Sequence, residues 1–271
     1  MTQREATHNP KIKTRYDGNP HSAAGIFAEA AVKLIDPRVR AAMVFSDVPV
    51  EGYADRPGET EKTAFTAFLA AVCRNAAEFS HPGSIHFLCS DWRHIGEVLA
   101  AASEVYGDLQ SLCVWTKDRA DASSPYRSQH ELVFVFKHGR ATRHDNIEHE
   151  RSRRHRSNVW RYPSLNVAAN SNNGKSIRRP SAVKPVALVA DAIRDGSARG
   201  DIVFDGFLGW GTTLIAAERT GRRCFGLEAN PAHVDVAVRR WQKLTGAKAR
   251  HALTDTPFGE GILKGELRHV A

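Results

Sequence analysis

The stretch DIVFDGFLGWGTTLIAAERTGRRCFGLEAN, residues 201–230, decides how this chain is read. The apolar run Ile202-Val203-Phe204 ends on Asp205. A turn carrying Phe207, Gly209 and Gly211 follows, and Thr212-Thr213 lead into an apolar-periodic segment that stops at Gly221. A second apolar run, Cys224 to Leu227, ends on Glu228. Strand, glycine-spaced turn, helix, strand and acid are the layout of a nucleoside-binding half of a doubly wound α/β sheet. The glycines let backbone approach a ligand, and the second acid accepts hydrogen bonds from ribose hydroxyls. The spacing is not G-x-G-x-x-G, so on this stretch alone an ordinary βα turn without ligand is the other reading.

The alternation continues on both sides. Lys184-Pro185 opens a helix with Val186, Val189 and Ile193 on one face, and Gly196 is placed to cap its end. Asn230-Pro231 is a helix start, and Val234, Val238, Trp241 and Leu244 form a stripe that stops at Gly246. Upstream, Ala41 to Phe45, Ile85 to Cys89, Leu112 to Trp115 and Leu132 to Phe136 read as buried strands, the last apolar on both faces as a central strand is. Helical spacing runs through Ile26, Ala30 and Leu34, through Phe65, Phe68, Leu69, Val72, Ala76 and Phe79, and through Trp92, Ile95, Leu99 and Ala102. The expectation is an α/β fold: a doubly wound, mainly parallel Rossmann-like sheet with helices on both faces.

Residues 1–25 read as a polar basic arm, 26–246 as a single domain and 247–271 as a polar tail. Within the domain, 137–180 is a basic insert. Lys137 to Arg161 holds eight Lys/Arg against three acids, with four histidines besides. The whole chain carries a net charge of +8, which favours a polyanionic partner. Cys73, Cys89, Cys113 and Cys224 form no C-x-x-C pair, so neither a zinc site nor a disulfide framework is indicated and a reducing compartment fits. The spacing of His138, His144, His149 and His155 matches no standard ligand pattern, so no metal is expected. No apolar run approaches membrane-spanning length, and a soluble, cytoplasmic chain is expected.

Taken together, these stretches resemble the β-class DNA amino-methyltransferases, which methylate adenine N6 or cytosine N4 with S-adenosylmethionine. The likeness is to the methylase part of the bacterial branch whose longer members carry a ParB-like domain. It rests on Tyr126-Arg127-Ser128-Gln129-His130-Glu131 with the strand after it, on Val183-Lys184-Pro185-Val186, on Gly211-Thr212-Thr213-Leu214-Ile215-Ala216-Ala217-Glu218, and on Val236-Ala237-Val238-Arg239-Arg240-Trp241. The family's order, catalytic motif before cofactor motif, is kept by Asp47 and Asp205. The resemblance thus divides the domain into a catalytic-motif half (26–136), the insert facing DNA and a cofactor half (181–246).

An exocyclic base amine is a poor nucleophile, because its lone pair is delocalised into the ring. The base is extruded and stacked, and acceptors draw the lone pair toward the methyl group. The resemblance places this work on Asp47-Val48-Pro49-Val50, where the family has D-P-P-Y: the Asp47 carboxylate and the Val48 carbonyl accept from the amine, and Val50 replaces the stacking aromatic. It assigns S-adenosylmethionine to Lys184, Pro185, Asp205, Phe207, Gly209, Gly211, Thr212, Thr213 and Glu228. The family's D-P-F-x-G-S-G-T-T becomes Asp205-Gly206-Phe207-Leu208-Gly209-Trp210-Gly211-Thr212-Thr213, with Trp210 beside the ligand. Arg127, Arg151, Arg153, Arg154 and Arg156 are the expected DNA contacts, and a homodimer is an expectation too. The activity implied is a site-specific DNA methyltransferase, on adenine rather than cytosine. The alternative is a catalytically inactive DNA-binding relative. A nucleotide-dependent oxidoreductase fits badly with Asp47 upstream and the Phe207-to-Thr213 pattern.

Overall fold

A strand that is apolar on every residue is stable only where both of its faces are covered. Leu132 to Phe136 is such a strand, and the sheet is built around it. The computed structural model describes residues 11–12, 39–49, 59–107, 109–120, 126–141, 156–164, 183–251 and 255–259. Its first half comprises β1 (Lys11–Ile12), β2 (Ala41–Asp47), α1 (Glu59–Glu78), β3 (Ser80–Ser90), α2 (Ile95–Tyr106), β4 (Leu109–Thr116), β5 (His130–Lys137) and β6 (Val159–Arg161). Its second half comprises α3 (Val186–Gly196), β7 (Ile202–Asp205), α4 (Thr212–Thr220), β8 (Arg223–Gly226), α5 (Pro231–Thr245) and β9 (Arg250–His251). The main sheet has the order β6-β4-β5-β3-β2-β7-β8, and every pairing is parallel except the two that β5 makes.

Each face of β5 closes one core. Val133 and Val135 join Met43, Phe45, Phe87 and Trp115 under α3 through Leu188, Val189 and Ile193. Leu132, Phe134 and Phe136 join Leu88 under Phe65, Leu69 and Cys73 of α1 and Val98, Ala101 and Ala102 of α2. The fold is therefore the doubly wound, mainly parallel sheet that the pattern predicts. The predicted helix through Ile26, Ala30 and Leu34 lies outside the described residues.

Four local expectations change. Trp92 and Leu99 do not share the buried face of α2: they are 53% and 37% exposed, while Val98, Ala101, Ala102 and Tyr106 are buried. A 3-10 turn, Trp92–His94, precedes the helix, so a helical phase counted from Trp92 starts too early. Gly196 does not cap α3 with a left-handed turn. A Cβ there would meet Met43 Cγ at 3.3 Å and Phe87 at 3.4 Å, so glycine lets α3 lie close on β2 and β3. The end is closed by Ser197, whose hydroxyl donates to the Ile193 carbonyl at 2.5 Å. Val159-Trp160-Arg161, placed by sequence in the basic insert, is a strand of the sheet paired with β4. The expected polar tail contributes β9, which pairs in parallel with β1 of the expected arm, and Phe258, which packs with Trp241 and Ala249.

Candidate active site

β2 and β7 are parallel neighbours, with Met43 opposite Val203 and Val44 opposite Phe204. Asp47 and Asp205 close these two strands, so both carboxylates stand on the carboxyl edge of the sheet, where α/β folds bind ligands. Val48 is buried among Phe65, Leu69 and Leu88, which pins the chain just after Asp47, and Pro49 is exposed. Val50 lies outside the described residues.

Lys184 holds the Asp47 end. Its ammonium, 5% exposed, is 2.6 Å from Asp47 Oδ2 and 2.8 Å from Glu131 Oε2. Lys117 approaches the other Glu131 oxygen at 2.8 Å, and both ammonium groups lie over the Trp115 ring at 5.4 and 5.8 Å. A buried cation survives only with such partners. Burial disfavours charged Lys184, but Asp47 and Glu131 outweigh it and hold the ammonium well above its ordinary pKa. Burial likewise opposes charge on Glu131, and the two lysines reverse this and lower it. Asp47 stays above the usual carboxylate range: burial raises it, Lys184 opposes, and Glu131 adds to the rise. Neither motif nor spacing assigns Glu131, Lys117 or Trp115 a part in the site, although Glu131 closes one of the stretches that carry the resemblance and Trp115 ends a predicted strand. The one signal was an acid directly preceding an all-apolar strand. Lys184, expected beside the cofactor, directs its ammonium at Asp47 and Glu131, and Pro185 is the N-cap of α3.

The second half of the site is the turn after β7. Asp205 is buried and takes the Phe207 N–H at 2.9 Å and the Thr213 hydroxyl at 2.5 Å. Burial pushes its pKa up to about 7, with Asp47 and Glu228 adding to that against the pull of Thr213 and the Phe207 amide. Glu228 accepts from the Gly209 and Asn230 amides, both at 2.8 Å. The Phe207 ring stands edge-on to Phe68 of α1 at 6.0 Å, and Thr212 is buried in the first turn of α4. Gly211 has φ 78°, and a Cβ on it would stand 2.7 Å from the Ala237 Cβ, so α4 and α5 can approach only with glycine there. Trp210 turns onto the start of α5. Its ring is edge-on to His233 at 6.4 Å and its carbonyl accepts from Arg240, while its indole N–H is buried without a partner.

Of the expected DNA contacts, Arg127 is exposed, and Arg151, Arg153 and Arg154 lie outside the described residues. Arg156 is committed to the fold. Its guanidinium bonds Asp195 at 2.5 Å and the Tyr162 hydroxyl at 2.7 Å and lies over Trp160, tying β6 to α3. Among the described residues, no cluster of His, Cys, Asp and Glu could hold a metal ion, and no helix is long and apolar enough to cross a membrane.

The family model for N6/N4 DNA methylases matches residues 42–239. The type II methyltransferase M.Cfr9I of Citrobacter freundii is 31% identical over 143 residues, 49% of this chain and 44% of that protein. The orphan methyltransferase M.BamHII of Bacillus amyloliquefaciens is 38% identical over 85 residues, 31% of each chain. The chain thus spans less than half the length of these curated relatives. In fold it is similar to the cytosine-N4-specific PvuII DNA methyltransferase, at TM-score 0.61 and 16% identity over 78% of this chain and 82% of that one. It is also similar to M1.HpyAVI, at TM-score 0.56 and 15% identity over 80% and 94%. The matched span contains Asp47, Glu131, Lys184, Asp205, Glu228 and the turn between the last two, and the chain belongs to the N6/N4 DNA methylase family.

Proposed function

We propose that this chain is an S-adenosylmethionine-dependent methyltransferase acting on an exocyclic amine of DNA, on adenine N6 in preference to cytosine N4. The observation that carries the reading is the pairing of β2 with β7, which sets the Asp47 carboxylate beside the Asp205–Glu228 turn. DNA is the partner in this reading, and the cytoplasm is the compartment.

The residues present fit the cofactor. Glu228 already takes two amide N–H groups and keeps lone pairs for ribose hydroxyls. Asp205 is the carboxylate for the cationic methionine end, and Trp210, a residue of the same turn, has a buried indole N–H without a partner. When bound, the cofactor supplies an electrophilic methyl group. The protein's own part is to orient the amine. Asp47 accepts one amine hydrogen, and Lys184 holds the opposite oxygen so that the carboxylate is fixed rather than rotating. The Val48 carbonyl is the second acceptor, and the buried Val48 side chain fixes its strand end. The proton released from the methylated amine passes to Asp47, whose raised pKa suits it to receive one.

Val50 in the aromatic's place favours a second reading, an inactive relative that still binds DNA. Calorimetry with S-adenosylmethionine, followed by tritium transfer from labelled cofactor to DNA, separates the two. Cofactor binding with transfer supports the enzyme. Binding without transfer supports the inactive relative, and no heat at millimolar cofactor sinks the methyltransferase mechanism.

A further inference from the structure

The turn after β3 carries an aromatic that the family match leaves without a task. β3 runs parallel to β2 with Cys89 opposite Asp47, and it ends at Ser90. Residues 91–94 therefore leave the sheet on the edge that carries Asp47-Val48-Pro49. The turn is fastened around Trp92. Asp91 accepts from the Arg93 amide at 2.9 Å and bonds His94 Nδ1 at 2.7 Å. His94 is buried edge-on to Phe65 at 5.1 Å, and Phe65 packs in the same cluster as Val48. Yet Trp92 itself is 53% exposed, with the Arg93 guanidinium 5.2 Å from its ring centre and also within 3.4 Å of Asp91 Oδ2.

The geometry points to Trp92 as a stacking platform for an unpaired nucleobase, with Arg93 beside it for the backbone phosphate. An exposed indole on a hydrogen-bonded turn, next to a cation, is what single-stranded nucleic acid binds, because every base has a π-face. The charge excess of the chain favours the same polyanion. Trp92 would thus stack on the extruded base, or on the neighbour it leaves unstacked, in a chain whose sequence has Val50 in place of the family's aromatic. This inference rests on the reading that the chain acts on DNA.

The test is direct binding, independent of activity. The full chain and its Trp92→Ala, Trp92→Phe and Tyr126→Ala variants are titrated, at one salt concentration, with a mixed-sequence single-stranded oligonucleotide carrying one 2-aminopurine. Stacking quenches that base. Trp92→Ala should weaken binding roughly 5- to 150-fold and abolish the quench, with Trp92→Phe retaining most of both. Equal affinity and equal quench in Trp92→Ala, or the loss appearing only in Tyr126→Ala, overturns the proposal while leaving the DNA reading intact. A wild-type chain that binds only the duplex form of the same sequence overturns the platform alone, and one that binds neither form overturns the DNA reading, with the platform falling too.

Discussion

The Lys184 ammonium stands 2.6 Å from Asp47 Oδ2, and its other carboxylate partner is Glu131 at 2.8 Å. Asp47, the proposed acceptor for the target amine, is therefore one member of a charged network that reaches from the end of β2 through the start of α3 to β5. Removing the cation leaves two carboxylates facing each other in a poorly solvated place. Lys184→Met should destabilise the fold by about 3–5 kcal/mol, toward the lower figure because Lys117 still serves Glu131. Lys184→Met combined with Asp47→Asn should recover part of that loss. Urea unfolding measures both, and a Lys184→Met chain as stable as wild type means that the network is not closed in solution.

Gly211 joins two constraints at one atom, a left-handed φ of 78° and contact with Ala237. Gly211→Ala should cost at least about 2 kcal/mol, from the left-handed strain together with overpacking between α4 and α5. Adding Ala237→Gly relieves the overlap but not the strain, so it should restore only a fraction. Denaturant midpoints of the two variants decide it, and full restoration means the backbone angle carries no cost.

Asp205 links the turn after β7, the proposed cofactor site, to pH. Its folded pKa of about 7 lies above its unfolded value near 3.9, so its contribution to stability is full below about pH 3.9 and is lost as pH rises through about 7. A cationic ligand favours the ionised form. S-adenosylmethionine affinity should therefore rise with pH up to about 7 and then level off, with proton release on binding below that point. Calorimetry in buffers of different ionisation enthalpy reads the released protons, and Asp205→Asn should show none. A pH-independent affinity in wild type contradicts the assignment.

His86 gives the opposite sign. It is fully buried, bonded to Ser84 at 2.9 Å and Tyr106 at 2.8 Å, and burial, with His138 adding, depresses its pKa to about 3. The stability it contributes is present above about pH 6.5 and is lost as pH falls toward 3, by up to about 1.4 kcal/mol per pH unit. His86→Gln keeps a donor and an acceptor and should flatten that part of the stability profile. Urea melts between pH 7 and 4 compare the two, and parallel profiles rule the buried imidazole out as the acid-sensitive group.

The proposed catalytic motif, Asp47-Val48-Pro49-Val50, can be restored toward the D-P-P-Y of the resemblance. Val48→Pro/Val50→Tyr should raise tritium transfer to DNA by about fivefold or more, the lower bound of one added stacking contact. An unchanged rate with cofactor still bound means that the active site is not at Asp47.

Much of this was legible in the residues. The alternation around Asp205 and Glu228, and the two-faced strand ending at Phe136, follow from side-chain period and turn chemistry, which act over a few residues. Glu131 and Lys117 could not be paired that way, because a buried ion pair joins groups far apart in sequence, and an acid at the head of an apolar strand does not name its partner. Arg156 looks like one more cation in a basic run and becomes an anchor only when Asp195 and Tyr162 are seen beside it. Gly196 shows the same limit at the scale of one atom. A glycine at a helix end reads as a cap, and only the nearness of Met43 and Phe87 reveals that the missing Cβ is the point.

The pairing of β2 with β7 has a consequence for synthesis of the chain. β2 leaves the ribosome early and β7 late, so until residues 202–205 arrive one side of β2 has no partner at those positions. The nascent protein then carries an open edge next to Met43 and Val44, which the finished sheet buries completely. Closing it requires a contact of long sequence separation, the slow kind to form. The two strands that carry Asp47 and Asp205 thus meet late, and a chain halted before β7 would lack the Asp205 turn and be prone to stick to its copies.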